Sequence, residues 1–212
     1  MKATEIIKSI KNFAINHSDD DDIHGFAHTQ RVYDSCDKIG IELEANMLIL
    51  RISALLHDIG RNNETSNTQK KNHALLSAEI SNEYLKSQLF GLSENQINQI
   101  IHCIIAHSFS NNIEPQTLEA KILSDVDKLD ALGAIGLYRT IGFTIRRNGG
   151  IKELINHLET KILDLKNQMY LEITREIAEE RNEIIQGFYN KIKNQINAKT
   201  IRDVPKIKNK DR

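Results

Sequence analysis

The chain has 212 residues, 40% of them apolar, with 28 basic against 29 acidic side chains and a net charge of −1. That length fits one domain, or one domain with an extension, and a balanced charge argues against broad nucleic-acid binding, which needs a basic footprint. No apolar run approaches the ~18 residues of a membrane span. With 2 prolines and 10 glycines, there is little room for the turn-rich alternation of an all-β protein. The amino terminus lacks the apolar core and cleavage site of a signal peptide. Cys36 and Cys103 make no disulfide framework, so a reducing, cytoplasmic setting is expected.

Apolar spacing predicts helices along the chain. Ile6, Ile7, Ile10, Phe13 and Ala14 form the stripe of a first amphipathic helix, stopped by the acidic run Asp19–Asp22. Phe26 to Ile39 is the second, with Gly40 expected as a left-handed cap. Glu44 to His57 is more buried, since apolar residues cover most of its circumference; Gly60 and a polar stretch end it. Asn72 to Gln88 is helical again. Ser93 with Gln96 predicts a capping box for Glu94–His107. Asn111 to Glu114 is a turn, with Pro115 at the expected first position of a helix to Leu129. Gly133 to Arg146 follows. Asn148-Gly149-Gly150 is the clearest break, and beyond it Ile151–Leu165 and Tyr170–Ile196 read as two long helices. The expectation is all-α: one domain over residues 1–198, its carboxy-terminal part about 149–198, and a basic frayed tail over 199–212.

The sharpest chemical feature is His57-Asp58 in "ALLHDIGR". An apolar helix that ends by presenting imidazole and carboxylate together is chemically odd, because burying charge costs several kcal/mol unless it is paired or holds a metal. His28, in "DDIHGFAHTQRV", and Asp127, in "SDVDKLDALGAIG", supply a second imidazole and a second carboxylate. Two of each suit a borderline divalent cation, with positions left for water and a phosphate oxygen. No H-E-x-x-H and no C-x-x-C occurs, so the protease and structural-zinc patterns are absent.

His…His-Asp…Asp centred on "LLHDIG" resembles the HD superfamily of metal-dependent phosphohydrolases. "H-x-x-R-V" (His28 to Val32), "NHALLSAEI", "IIAHS" and "DVDKLDALGAIGLYRT" occur in the order of that family. The carboxy-terminal segment is similar to the ending of small stand-alone bacterial HD hydrolases linked to nucleoside-triphosphate pyrophosphohydrolysis. The resemblance implies an HD-domain helical bundle, with the two long carboxy-terminal helices packed on it and a metal site within residues 24–130. It implies His28, His57, Asp58 and Asp127 as ligands, selecting Asp127 over the neighbouring candidates Asp125 and Asp130, and His28 over His24. Mn²⁺ is the expected ion, with Mg²⁺, Co²⁺, Fe²⁺, Zn²⁺ or Ni²⁺ as alternatives.

Further roles follow as expectations. Asp58 doubles as proton acceptor; His73 and His107 serve as general acid or bind a second metal. Lys128 stabilises phosphoryl charge, and Arg61, Arg139 and His24 are substrate contacts. Arg31 is equally suited to a phosphate or a structural ion pair. His102 is expected to be structural, and His17 and His157 to be ordinary surface residues. The expected substrate is a small phosphorylated metabolite, foremost a (deoxy)nucleoside triphosphate cleaved to pyrophosphate, with no membrane partner, no specific nucleic-acid binding and homodimerisation left open. A two-metal phosphodiesterase or 5′-nucleotidase is the alternative within enzymes. The alternative of another class is a catalytically silent HD-like domain that binds a nucleotide or partner.

Overall fold

A computed structural model describes residues 2–61, 72–108 and 111–197. The polar stretch over 62–71 and the tail expected over 199–212 lie outside the described residues. Among those described, every regular element is helical: α1 (Ala3–Asn16), α2 (Phe26–Glu42), α3 (Met47–Leu56), α4 (His73–Ser87), α5 (Glu94–His107), α6 (Leu118–Asp130), α7 (Gly133–Arg146), α8 (Ile151–Thr160), a 3-10 segment (Ile162–Gln168) and α9 (Glu172–Asn197). No described helix is long and apolar enough to cross a membrane.

The apolar stripes explain the packing. Ile6, Ile10 and Ala14 of α1 are buried, and α3 is buried almost all round through Ile49, Leu50, Ile52, Ala54, Leu55 and Leu56. Helix α3 is therefore the axis of the amino-terminal bundle, with α1, α2, α5 and α6 around it and α4 on α5. A second core starts at Leu129 and Leu132, at the end of α6, and is closed by Leu154, Leu158, Ile162, Leu165, Ala178 and Ile185. The carboxy-terminal helices thus pack on the bundle through α6.

Several local expectations are corrected. Gly40 is not a cap: α2 runs on to Glu42, and the left-handed residue that follows is Glu44, at φ 54°. The glycine serves packing instead, since a Cβ there would lie 2.4 Å from Leu50 Cδ2 and 2.9 Å from Met47 Sδ. Its absence lets α2 and α3 approach closely. Helix α3 consequently starts at Met47, with Asn46 as N-cap. Pro115 lies before α6 rather than inside it, because Thr117 accepts the Ala120 N–H as N-cap. The predicted helix to Leu165 ends at Thr160 and continues as 3-10 turns. The capping box of Ser93 and Gln96 is present.

Candidate metal centre

His28 stands in the first turn of α2, His57 caps the end of α3, Asp58 follows it, His73 opens α4, His107 ends α5, and Asp127 lies in the last turn of α6. Five chain segments therefore deliver their side chains to one place. Gly60 sets the approach of α3 to α4: its N–H donates to Ser77 Oγ at 2.9 Å, and a Cβ would meet the Ser77 nitrogen at 2.4 Å. Asn72, the N-cap of α4, bonds Asn111, which in turn donates to the Ile105 carbonyl. That link ties the start of α4, and hence His73, to the end of α5, and hence His107.

His28 Nε2 lies 3.2 Å from His57 Nε2, 3.2 Å from Asp127 Oδ1 and 3.6 Å from Asp58 Oδ2. His57 Nε2 lies 3.8 Å from Asp58 Oδ2 and 3.9 Å from Asp127 Oδ1. The two histidines thus face each other, with a carboxyl oxygen of Asp58 and one of Asp127 near both. On the other side of Asp58, its Oδ1 lies 3.6 Å from His73 Nε2 and 3.7 Å from His107 Nε2. Asp58 is shared by two triads of potential ligands, His28–His57–Asp58 and Asp58–His73–His107.

The chemistry of these donors fits a cation. His57 Nδ1 is 2.8 Å from the Ala54 carbonyl and His107 Nδ1 is 2.5 Å from that of Ile104. A carbonyl only accepts, so each ring carries its proton on Nδ1 and aims the Nε2 lone pair inward. His28 Nδ1 is likewise turned to Asp130 Oδ2 at 2.7 Å. His107 Nε2 is buried without a hydrogen-bond partner. An orphaned lone pair beside a buried carboxylate is costly in a protein interior and is what a metal ion satisfies.

The electrostatics agree. Burial pushes His57 down to about 4 and His73 down to about 3, keeping both neutral. Burial works to raise Asp58, but Arg61 and the surrounding histidines outweigh it and hold the carboxyl well below the usual carboxylate range. Asp127 is held low in the same way, His28 outweighing burial. His28 shifts the other way: burial and Arg139 push it down, but Asp127 and Asp130 outweigh them and raise it. Neutral His57 and His73 beside ionised Asp58 and Asp127 are in the ligand forms a divalent cation requires, and an ion at His28 competes with a proton there.

Each aspartate of "DVDKLD" has its own task. Asp127 is 26% exposed and opens to a cavity. Asp125, fully buried, accepts the N–H groups of Tyr170 and Leu171 and the Thr174 hydroxyl, and so fastens α9 to α6. Asp130 accepts from His28, from Arg31 through two nitrogens at 2.8 and 2.9 Å, and from Arg139 at 2.7 Å. Arg31 is thereby an ion-pair residue.

The cavity beside this cluster has a volume of about 320 Å³. Its wall includes His24, Arg61, His73, His107, Asp127, Lys128 and Arg139, together with Phe143, Arg147, His157 and Lys161 from the carboxy-terminal unit. Arg61 donates to both Asp58 oxygens, at 2.8 and 2.9 Å. Lys128 donates to Ser124 Oγ at 2.7 Å and lies 3.8 Å from Asp125 Oδ1. Arg139 bonds Asp130 and the Ile23 carbonyl. His24, pushed down to about 3 by burial first and then by Arg61, meets the edge of Phe143 at 5.4 Å.

His157 corrects the sequence reading: it is half-buried, lines the cavity and packs on Phe143 at 5.4 Å. Phe143, Arg147 and Lys161 carried no signal in the sequence, because only the fold-back of α8 onto α7 brings them to the site. His102 accepts the Gln116 N–H, a structural role. His17 contacts its own helix through the Phe13 carbonyl.

The profile of the HD domain family matches residues 25–132. The Bacillus subtilis protein YpgQ is 28% identical over 187 residues, covering 84% of this chain and 87% of its own. Its crystal structure superimposes with a TM-score of 0.75 at 25% identity, covering 93% of this chain and 99% of that one, and it has also been solved in complex with ADP. An HD-superfamily hydrolase from Bacillus thuringiensis shares the fold, with a TM-score of 0.70 at 24% identity, covering 93% of this chain and all of that one. Ribonuclease Y from Thermoanaerobacter pseudethanolicus is 26% identical over 132 residues, covering 62% of this chain but 23% of its own length.

Proposed function

The chain belongs to the HD domain family, and from its convergent histidines and aspartates we propose that it is a divalent-metal-dependent phosphohydrolase acting on a small nucleotide. The observation that carries this reading is that His28 Nε2 and His57 Nε2 lie within 4 Å of each other and each within 4 Å of a carboxyl oxygen of Asp58 and of Asp127, with Asp127 opening to a cavity rich in cations. Mn²⁺ is the ion we assign. A divalent ion held by these four residues supplies Lewis-acid neutralisation of phosphate charge and a more acidic water.

The chain's own residues do the rest. Asp58, ionised and almost fully buried, orients the attacking water and accepts its proton. Lys128, fixed by Ser124, faces the cavity as a compact charge for a phosphoryl oxygen. Arg61 holds a two-pronged fork on a carboxylate, geometry that a phosphate satisfies equally well. The cavity volume of about 320 Å³ is at the lower end of small-molecule sites. The ADP complex of YpgQ supports a nucleoside phosphate as the substrate class. Among nucleotides we favour (deoxy)nucleoside triphosphates cleaved to pyrophosphate, on the resemblance of the carboxy-terminal segment to small stand-alone HD hydrolases linked to that reaction.

The second triad favours a second reading. His73 and His107 place imidazole nitrogens 3.6 and 3.7 Å from Asp58 Oδ1, the oxygen that also accepts from Arg61. A histidine pushed down to about 3 suits ligation better than proton donation at neutral pH. Were each triad to hold an ion, with His28, His57 and Asp58 at one and Asp58, His73 and His107 at the other, the pair would extend the chemistry to phosphodiesters or nucleoside monophosphates.

Turnover of a nucleotide panel with Mn²⁺, Mg²⁺, Co²⁺, Ni²⁺ and Zn²⁺ tests the main reading, and metal analysis of the loaded protein separates one ion from two per chain. No release of phosphate or pyrophosphate from any nucleotide with any ion would refute the enzyme and leave a nucleotide- or partner-binding domain.

A further inference from the structure

Five cations line the cavity, and three are already matched by carboxylates: Arg61 by Asp58, Arg139 by Asp130 and Lys128 by Asp125. Arg147 and Lys161 form no ion pair among the described residues. They stand at the C-terminal ends of α7 and α8, where a cation is favoured by the helix dipole alone. The dipole does not explain where the Arg147 side chain goes. Although Arg147 is exposed, as is Lys161, it folds back over the Phe143 ring, with its guanidinium carbon 4.5 Å from the ring centroid, a contact that favours holding the charge at the cavity edge. His157 packs on the same ring; burial first, and then Lys161 and Arg147, disfavours its charged form, so both cations lie within electrostatic reach of it.

None of these groups belongs to the histidine–aspartate cluster. They come from α7 and α8, whereas the cluster comes from the bundle of α2 to α6, and His24 joins the two through its contact with Phe143. The cavity therefore has two differently built ends: one of Asp127 with His73 and His107 beside the metal cluster, and one of two cations without an ion pair among the described residues, Arg147 on the Phe143 ring and Lys161 in the same wall. An uncompensated positive wall focuses on anions.

We propose that Arg147 and His157, packed on Phe143, and Lys161 of the same wall form a second anion subsite that takes a phosphate of the substrate other than the one attacked at Asp58. The subsite selects substrates with at least two phosphate groups. Which phosphate is attacked rests on the hydrolase reading above; the existence of the subsite does not. The second phosphate can belong to the same polyphosphate chain or sit elsewhere on the nucleoside, and the choice of ligands distinguishes these sources.

The test uses the full chain, with Arg147→Ala/Lys161→Ala and the charge-retaining Arg147→Lys/Lys161→Arg. Metal-free protein in chelator is titrated calorimetrically with inorganic tripolyphosphate, and the Mn²⁺-loaded protein is assayed with nucleoside triphosphates and with nucleoside 3′,5′-bisphosphates. The alanine pair should bind tripolyphosphate about tenfold more weakly, as expected for losing a charge-assisted contact, with a shallower dependence on salt; the charge-retaining pair should recover most of the affinity. A parallel rise in KM for triphosphates alone assigns the subsite to the polyphosphate chain, and a rise for bisphosphates alone assigns it to a phosphate elsewhere on the nucleoside. Tripolyphosphate binding equal in the alanine pair and the unaltered protein, or absent from both, overturns the proposal. If tripolyphosphate binds through these residues but no nucleotide is cleaved, the hydrolase reading fails and the subsite stands. If nucleotides are cleaved and the alanine pair matches the unaltered protein throughout, the reverse holds.

Discussion

Replacing Asp125 with alanine separates anchorage from metal binding within one six-residue motif. The Asp125 carboxylate is fully buried and accepts the Tyr170 N–H at 3.0 Å, the Leu171 N–H at 3.0 Å and the Thr174 hydroxyl at 2.6 Å. Thr174 has a fallback, since its hydroxyl also reaches the Leu171 carbonyl at 2.9 Å. The two backbone donors have none in the structure, and each buried donor left without an acceptor costs about 1–3 kcal/mol. Lys128 also loses its carboxylate at 3.8 Å. The sum is a destabilisation of about 3–5 kcal/mol, a large share of the roughly 5–15 kcal/mol available to a folded domain. At about 2–4 °C per kcal/mol for a chain of this size, the melting midpoint should fall by about 6–20 °C. Thermal melting followed by circular dichroism measures it, and metal analysis below the midpoint should show metal content retained. Loss of metal with unchanged melting would show that Asp125, not Asp127, is the ligand and would refute the division of tasks.

Other substitutions probe other links. Asp58→Asn should abolish turnover and metal retention while leaving the helical circular-dichroism signal intact, because it removes the one carboxylate common to both triads. Asp130→Ala should weaken metal affinity about 10–100-fold by releasing His28, measured by metal titration. It should also destabilise the fold by about 3–5 kcal/mol by leaving buried Arg139 without its partner. Gly60→Ala should cost about 1–3 kcal/mol in a denaturant titration, since the new Cβ meets the α4 backbone at Ser77 and Leu76; a neutral effect would mean that the approach of α3 to α4 is looser than described.

Much of this was legible because helical periodicity and the chemistry of buried charge act locally. The buried character of α3 follows from its apolar circumference, and the oddity of His57-Asp58 at its end follows from the cost of burying ions. The aspartates of "DVDKLD" separate because each residue turns a helix by about 100°, which sends Asp125 and Asp127 to nearly opposite faces. What stayed hidden is tertiary. Gly40 has the sequence context of a cap but serves a helix crossing, which depends on Leu50 and Met47 across the gap. His157 has the pattern of a surface residue on an amphipathic helix, yet α8 folds back on α7 and carries it to the cavity. Asp130 could be seen only as a rival to Asp127; its partnership with His28, Arg31 and Arg139 joins α2, α6 and α7.

The central claim is that one divalent cation sits among side chains from α2, α3 and α6. Crystals of the full chain grown with Mn²⁺ and measured at the manganese absorption edge test it directly. The account predicts an anomalous peak bounded by His28 Nε2, His57 Nε2, Asp58 and Asp127, lost in Asp58→Asn. A peak at other residues, or none at saturating Mn²⁺ with these four side chains in place, would contradict it.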